Sequence, residues 1–228
     1  MDITYASIAK MIDHSLLQQT LTDAEMEAGC RVALEYDTAS VCIKPYYLKR
    51  CAEILAGSTV KASTVIGFPH GGHKTAIKAA EAEAALDDGG QELDMVVNIG
   101  KVRSGDWQYV RDDIRAVNEA AVARGQIVKV IFENCFLDTP QKIKLCEICG
   151  ELRVAFVKTS TGYGETGATI EDLKLMREHS PPWVQVKAAG GVRDFDKILE
   201  VRKIGVTRVG ATSSKTILDE CRKRLGLS

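Results

Sequence analysis

Val184-Gln185-Val186-Lys187-Ala188-Ala189-Gly190-Gly191 is a strand-like apolar run that ends in a lysine and passes into paired glycines. One unit earlier, Phe156-Val157-Lys158-Thr159-Ser160-Thr161-Gly162 follows the same plan. One unit later, Thr207-Arg208-Val209-Gly210-Ala211-Thr212-Ser213-Ser214 repeats the turn of glycine and hydroxyl residues. Short apolar runs that alternate with longer segments of helical periodicity are the mark of parallel βα units. Working outward, strands are predicted at residues 40–43, 60–67, 93–98, 127–133, 154–158, 183–187 and 207–210. Helices are predicted between and after them at 45–55, 74–88, 107–123, 140–149, 170–179, 195–204 and 214–225. An eighth short strand at 11–15, followed by a helix at 23–35 capped near Thr22, completes the series.

Eight βα units in 228 residues fit an α/β fold of the TIM (β/α)8 barrel type, kept as a single domain over residues 1–228. A seven-strand doubly wound sheet is the alternative. The first clear unit opens with no G-x-G-x-x-G, which counts against a dinucleotide-binding version of that sheet. No linker rich in Pro, Gly or Ser divides the chain.

Composition excludes several classes of function. The formal net charge is −1 and no block of basic residues occurs, so neither nucleic acid nor an anionic membrane is expected as a partner. No apolar run approaches the ~18 residues of a membrane span, and the start lacks a charged region followed by an apolar one. A soluble, cytoplasmic protein is expected. The cysteines, Cys30, Cys42, Cys51, Cys135, Cys146, Cys149 and Cys221, are odd in number and read mostly as small buried hydrophobes. Cys146 and Cys149 form a lone C-x-x-C inside a helical pattern, a weak metal or redox signal without a second pair.

A lysine at the end of a buried strand is costly to desolvate, and here Lys158 and Lys187 end consecutive strands. Standing at one mouth, each cation disfavours the other, so one amine can be neutral near pH 7 and act as a nucleophile toward carbonyls. The bland alternative is a pair of side chains reaching for solvent. Asp94, set among Leu93, Met95 and Val96, is the candidate acid, and two lysines across a barrel would compensate its charge. Lys129 and Glu133 share strand parity and suggest an internal ion pair. Asp13 reads as a further pocket residue or as a turn former. Counting 11–15 as the first strand places the Gly190-Gly191 and Gly210–Ser213 turns after strands seven and eight, where barrels commonly bind phosphate. Taken singly, each is also an ordinary tight βα turn. His70 and His73, three apart in a Gly/Pro loop, read better as polar loop residues than as metal ligands.

These segments are recognisable together. The lysine segments, Glu92-Leu93-Asp94-Met95-Val96-Val97-Asn98, Val65-Ile66-Gly67-Phe68-Pro69-His70-Gly71 and Arg208-Val209-Gly210-Ala211-Thr212-Ser213 resemble the deoxyribose-phosphate aldolase family nearly end to end. The resemblance implies a TIM barrel that cleaves 2-deoxy-D-ribose 5-phosphate reversibly to D-glyceraldehyde 3-phosphate and acetaldehyde in deoxyribonucleoside catabolism, with no cofactor and no metal. It further implies Lys158 as the Schiff-base lysine, Lys187 as the lysine that perturbs it and Asp94 as the acid/base. Gly190, Gly191, Gly210, Ser213 and Thr161 would bind the phosphosugar, and Cys42 would line the pocket. A homodimer or homotetramer is compatible with it. The chain departs from the family pattern at Asn134-Cys135, at His73, at Tyr163 and in ending Leu225-Gly226-Leu227-Ser228 without a terminal tyrosine. A metal-dependent aldolase or isomerase using His70 and His73, and a non-catalytic phosphosugar binder, are the alternatives. The intact lysines and Asp94 weigh against the binder.

Overall fold

Alternate residues along most of the strands differ in character, and that difference decides how the sheet folds. In the computed structural model, which describes residues 3–227, one set of strand residues is apolar and fully buried: Val41, Ile43, Leu93, Met95, Val128, Val130, Val157, Val186 and Val209. They belong to the core shared with the surrounding helices. The intervening set is equally buried but mixed, with Asp13, Asp94, Lys129, Lys158 and Lys187 standing among Val65, Val96, Ile131 and Phe156. A sheet with one apolar face and one face that carries the charges satisfies both by closing on itself, with helices outside and ion pairs inside.

The strands are β1 (Ile12–Leu16), β2 (Ser40–Ile43), β3 (Lys61–Ile66), β4 (Glu92–Val96), β5 (Ile127–Ile131), β6 (Phe156–Lys158), β7 (Gln185–Ala189) and β8 (Arg208–Ala211). All pair in parallel and in sequence order, and β8 returns to β1 through Asp13 opposite Gly210. The barrel predicted from the alternating units is therefore the observed fold, and the doubly wound sheet is excluded. The principal helices are α1 (Tyr5–Ala9), α2 (Asp23–Glu35), α3 (Leu48–Leu55), α4 (Thr75–Asp87), α5 (Ile99–Arg103), α6 (Trp107–Ala123), α7 (Thr139–Glu151), α8 (Ile170–His179), α9 (Phe195–Ile204) and α10 (Ser214–Arg224).

Differences from the sequence expectation have local causes. The helix predicted at 45–55 begins as a tighter turn at Pro45–Tyr47 before α3. β7 starts two residues later than predicted, because the Val184 amide donates to the Pro181 carbonyl and holds a turn. That leaves Trp183 outside the strand, 53% exposed and stacked against Arg153. α1 and α5 carry too few turns to show a periodicity, although α1 has a full capping box between Thr4 and Ser7. Cys146 and Cys149 are fully buried in α7, as the helical pattern predicts. Ser228, the last residue of the tail, lies outside the described residues.

Candidate active site

Lys158 and Lys187 are register partners on adjacent strands, so β6 and β7 deliver two ammonium groups to the same height of the barrel. Both donate to one oxygen. Asp94, entering from β4, accepts Lys158 and Lys187 on Oδ2 at 2.7 Å each and Lys129 on Oδ1 at 2.8 Å. The three lysines and Asp94 are 0–3% exposed. Below them, Lys129 reaches Glu92 at 2.6 Å and Asp13 at 3.3 Å. Asp13 accepts Lys187 on Oδ2 at 2.5 Å, and on Oδ1 it accepts both Arg208 and the Ser40 hydroxyl at 2.6 Å. Arg208 also forks onto Glu92, at 2.7 and 3.3 Å. All eight strands contribute to this interior, β3 through the Ser63 hydroxyl that accepts Lys129 at 3.4 Å, where an ordinary barrel packs branched aliphatics.

The expected Lys129–Glu133 pair does not form. Glu133 has φ 57° and ψ 64°, so the chain leaves the extended conformation there and the parity argument lapses. Its carboxylate turns instead to the next strand's loop, accepting the Thr161 amide at 3.1 Å and the Thr161 hydroxyl. Asp13, left open by the sequence, is a member of the charged network.

Protonation follows from the count of partners. Burial pushes the Lys158 amine below the ordinary lysine range, Asp94 opposes the shift and Lys187 adds to it. Desolvation is thus the larger cause, and the neighbouring cation the second. Burial also works against the charge on Lys187, yet Asp13 and Asp94 carry its pKa above the usual value. Lys129 goes further up, against the same burial, because Asp13, Asp94 and Glu92 face it. Asp94 is held well below the carboxylate range: burial opposes this, and the charges of Lys129, Lys158 and Lys187 overcome it. The site therefore holds one amine biased toward neutrality beside one biased toward charge, with a carboxylate between them. Such a pair can supply a nucleophile and a proton donor at the same pH.

Above these groups a cavity of about 380 Å³ opens among the loops at the carboxyl ends of the strands. Lys158, Lys187, Asp13 and Cys42 lie at its base. Cys42 is buried, which raises its thiol pKa, with Asp94 adding to the effect, so it faces the cavity as a neutral thiol. Gly190, Gly191, Gly210, Ala211 and Thr212 form the wall above Lys187. Gly190 has φ 78°, and a Cβ there would stand 2.8 Å from the Gly167 Cα; Gly191 has φ 95°. Both turns therefore require glycine. Gly210 is different: a Cβ would meet nothing closer than 3.6 Å, so the backbone does not demand glycine, but the Lys187 Cε is one of the atoms met. Ser213 is one residue beyond this lining and is the N-cap of α10, whose first amides receive no side-chain cap from it. Thr161 lines the cavity while its hydroxyl is donated to Glu133. Tyr163 spans the mouth, donating its hydroxyl to the Leu17 carbonyl at 2.7 Å and setting its ring edge to face against Phe68.

A second hollow, of about 440 Å³, opens at the opposite ends of the strands near Val60, Lys61 and Gln91. Its Arg124 is already paired with Glu83 and Asp87, and it contains none of the charged interior. His70 and His73 are exposed, and among the described residues no three His, Cys, Asp or Glu side chains are placed to hold a metal.

Residues 7–219 match the family model described as DeoC/LacD family aldolase. The chain belongs to that aldolase family. Among DeoC/LacD relatives, the deoxyribose-phosphate aldolase of Rhodopirellula baltica is 61% identical over 226 residues, covering 99% of this chain and 94% of the relative. That of Clostridium perfringens (strain SM101 / Type A) is 46% identical over 212 residues, covering 93% and 94%. In three dimensions, the deoxyribose phosphate aldolase of Aeropyrum pernix, described as a unique tetrameric structure, superposes with a TM-score of 0.89 at 26% identity, over 97% of this chain and 93% of that one.

Sequence reasoning singled out Lys158, Lys187 and Asp94, and the fold brings both lysines onto the Asp94 carboxylate. Glu92 and Arg208 were not among its candidates. A signal existed: Glu92 stands two residues before Asp94, and Arg208 two before Gly210, so each shares a strand face with a residue already chosen.

Proposed function

We propose that this chain catalyses the reversible cleavage of 2-deoxy-D-ribose 5-phosphate to D-glyceraldehyde 3-phosphate and acetaldehyde, as a cytoplasmic enzyme of deoxyribonucleoside catabolism acting as one domain. The observation that carries the assignment of roles is the contrast between the two lysines. Lys187 is held by two carboxylates, whereas Lys158 has Asp94 alone. Lys158 is the amine that gives up its proton and attacks the substrate aldehyde. Loss of water from the carbinolamine forms an iminium. A base takes the proton of the substrate's C3 hydroxyl, the C2–C3 bond breaks, and its electron pair moves toward the iminium nitrogen. D-glyceraldehyde 3-phosphate leaves, and an enamine remains on Lys158. Protonation of the enamine carbon and hydrolysis then release acetaldehyde and the free amine. Asp94 and Lys187 move these protons, in part through water.

The glycine turns at Gly190-Gly191 and Gly210, with Ser213 at the start of α10, bind the phosphate, and Thr161 and Cys42 border the sugar. Binding energy from the phosphate holds the open-chain sugar in line with Lys158. No cofactor or metal enters these steps. A homodimer or homotetramer fits the same reading, since the Aeropyrum relative is described as tetrameric; sedimentation of the intact protein measures it. Borohydride reduction in the presence of acetaldehyde, followed by peptide mapping, is the test. A two-carbon adduct on Lys158, absent from Lys158→Ala together with turnover, is expected. An active enzyme whose Lys158 is never labelled would overturn the proposal.

A further inference from the structure

Arg208 enters the barrel from the amino end of β8, well away from the cavity mouth, yet it touches two of the three acids of the interior. Its guanidinium bonds Asp13 and both oxygens of Glu92, and it lies over the Phe156 ring, 5.1 Å from the centroid, on the strand that carries Lys158. Among the described residues, the network contains four basic side chains, Lys129, Lys158, Lys187 and Arg208, against three carboxylates, Asp13, Glu92 and Asp94. The fully charged set has one positive charge in excess. In a nearly dry interior the excess is relieved by releasing a proton from the cation with the fewest carboxylates, and that cation is Lys158.

We infer that Arg208 is a positioning residue that supplies the excess positive charge and so keeps the proton off the Lys158 amine, while its partner Glu92 limits the size of that excess. Arg208 does not touch Lys158 or the cavity. It acts by occupying Asp13 and Glu92, so that their negative charge is balanced without a proton on Lys158. Removing Arg208 leaves three carboxylates against three lysines, and the Lys158 proton becomes part of the balance. Removing the Glu92 charge leaves four basic groups against two carboxylates and drives the proton off more strongly.

The other titratable groups around Lys158 do not change the sign. Asp94, Lys129 and Lys187 are present in both variants. Cys42, facing from β2, is a neutral thiol, and Glu133, at the end of β5, is occupied by Thr161.

The test is the pH dependence of Lys158 trapping by borohydride and acetaldehyde in the intact enzyme, measured for the parent, Arg208→Gln, Arg208→Lys and Glu92→Gln. The midpoint is expected to move toward alkaline pH by on the order of one unit in Arg208→Gln, to return in Arg208→Lys, and to move toward acid pH in Glu92→Gln. At neutral pH the first shift reads as a roughly tenfold slower trapping rate. A purely structural role would lower the melting temperature of the variants and leave the midpoints in place. Unmoved midpoints, or shifts of the same sign in Arg208→Gln and Glu92→Gln, overturn the inference. Should Arg208→Gln fail to fold, Glu92→Gln decides alone, and anything other than an acid shift overturns it. Lys158 here is the amine assigned above, and the two assignments fail differently: a parent that is not trapped at Lys158 defeats the earlier one, whereas a trapped parent with unmoved variants defeats only the role of Arg208 and Glu92.

Discussion

Replacing Lys187 by methionine removes a charge while keeping an unbranched chain of similar length, and its effect on Lys158 can be worked from the geometry. Both nitrogens lie 2.7 Å from the same Asp94 oxygen, so they are at most twice that distance apart. Two unit charges roughly 5 Å apart at an effective dielectric of about 20 repel by about 3 kcal/mol. That equals about two pK units, so the Lys158 pKa should rise by about two units and the neutral fraction at pH 7 should fall roughly hundredfold. The direction is reinforced by Asp13, which loses its 2.5 Å partner and is left with more negative charge to be balanced. Breaking a buried pair by removing one member costs about 3–5 kcal/mol; here the proton regained by Lys158 offsets part of it, so the variant should fold.

Trapping rate against pH is the assay, because Lys187 is also a proposed proton carrier and turnover would mix its two roles. The limb that reports Lys158 should move toward alkaline pH by about two units, with trapping restored above it. A midpoint within about half a unit of the parent would refute the claim that the two cations are coupled through Asp94.

Tyr163→Phe deletes the hydroxyl that bonds Leu17 across the mouth; the loss of one net hydrogen bond, about 0.5–1.5 kcal/mol, should raise KM by roughly twofold to tenfold with kcat nearly unchanged in steady-state assays. Gly190→Ala combines φ 78° with a 2.8 Å approach to the Gly167 backbone, so calorimetry should show a lower Tm and titration a weaker inorganic phosphate affinity, while Gly210→Ala should keep the parent Tm. His14, buried against Ser214 with its pKa lowered to about 4 by desolvation, should weaken the fold as pH falls. Above the unfolded value of 6.5 the ring is neutral in both states and there is no penalty; between 6.5 and about 4 the unfolded chain binds the extra proton and stability drops, by about 3 kcal/mol in full. His14→Gln should flatten that part of a denaturant-derived stability curve relative to the parent. EDTA should leave turnover unchanged, and a loss reversed by added metal would point to metal-dependent chemistry involving His70 and His73.

The barrel was legible because its signal is periodic and local. Seven strands announce themselves by apolar runs and most turns by glycine or a capping residue, so the order of units could be read before any contact was known. The eighth, Ile12–Leu16, has Asp13, His14 and Ser15 at its centre and gave only a weak signal, which left a seven-strand sheet open. Lys158, Lys187 and Asp94 were legible for a related reason, since a charge inside such a run is conspicuous. What escaped depends on departures from periodicity or on contacts across the barrel. The single left-handed residue Glu133 turned an expected ion pair with Lys129 into a clasp on Thr161, and nothing in its neighbours' residue types marks that conformation. Arg208 and Glu92 meet from strands separated by 116 positions in sequence, a distance over which strand patterns carry no pairing information.

The same division explains why the fold tolerates a charged interior. Ion pairs inside the barrel are poor stabilisers, because desolvation consumes most of what their attraction returns. The stabilising surface lies on the outer face of the sheet, where strand residues such as Val41, Leu93, Val128 and Val186 are fully buried with the helices, each contributing about 1.5–3 kcal/mol. Because the outer face secures the barrel, the inner face can carry a charge excess that an ordinary core would not. That excess is useful only while it has one outlet. Arg208 and Lys129 each engage at least two carboxylates, and Lys187 engages two, so Lys158 is the outlet. Its single carboxylate is Asp94, which it shares with Lys187, and the amine proposed to yield its proton therefore stands beside the groups proposed to return one during the reaction.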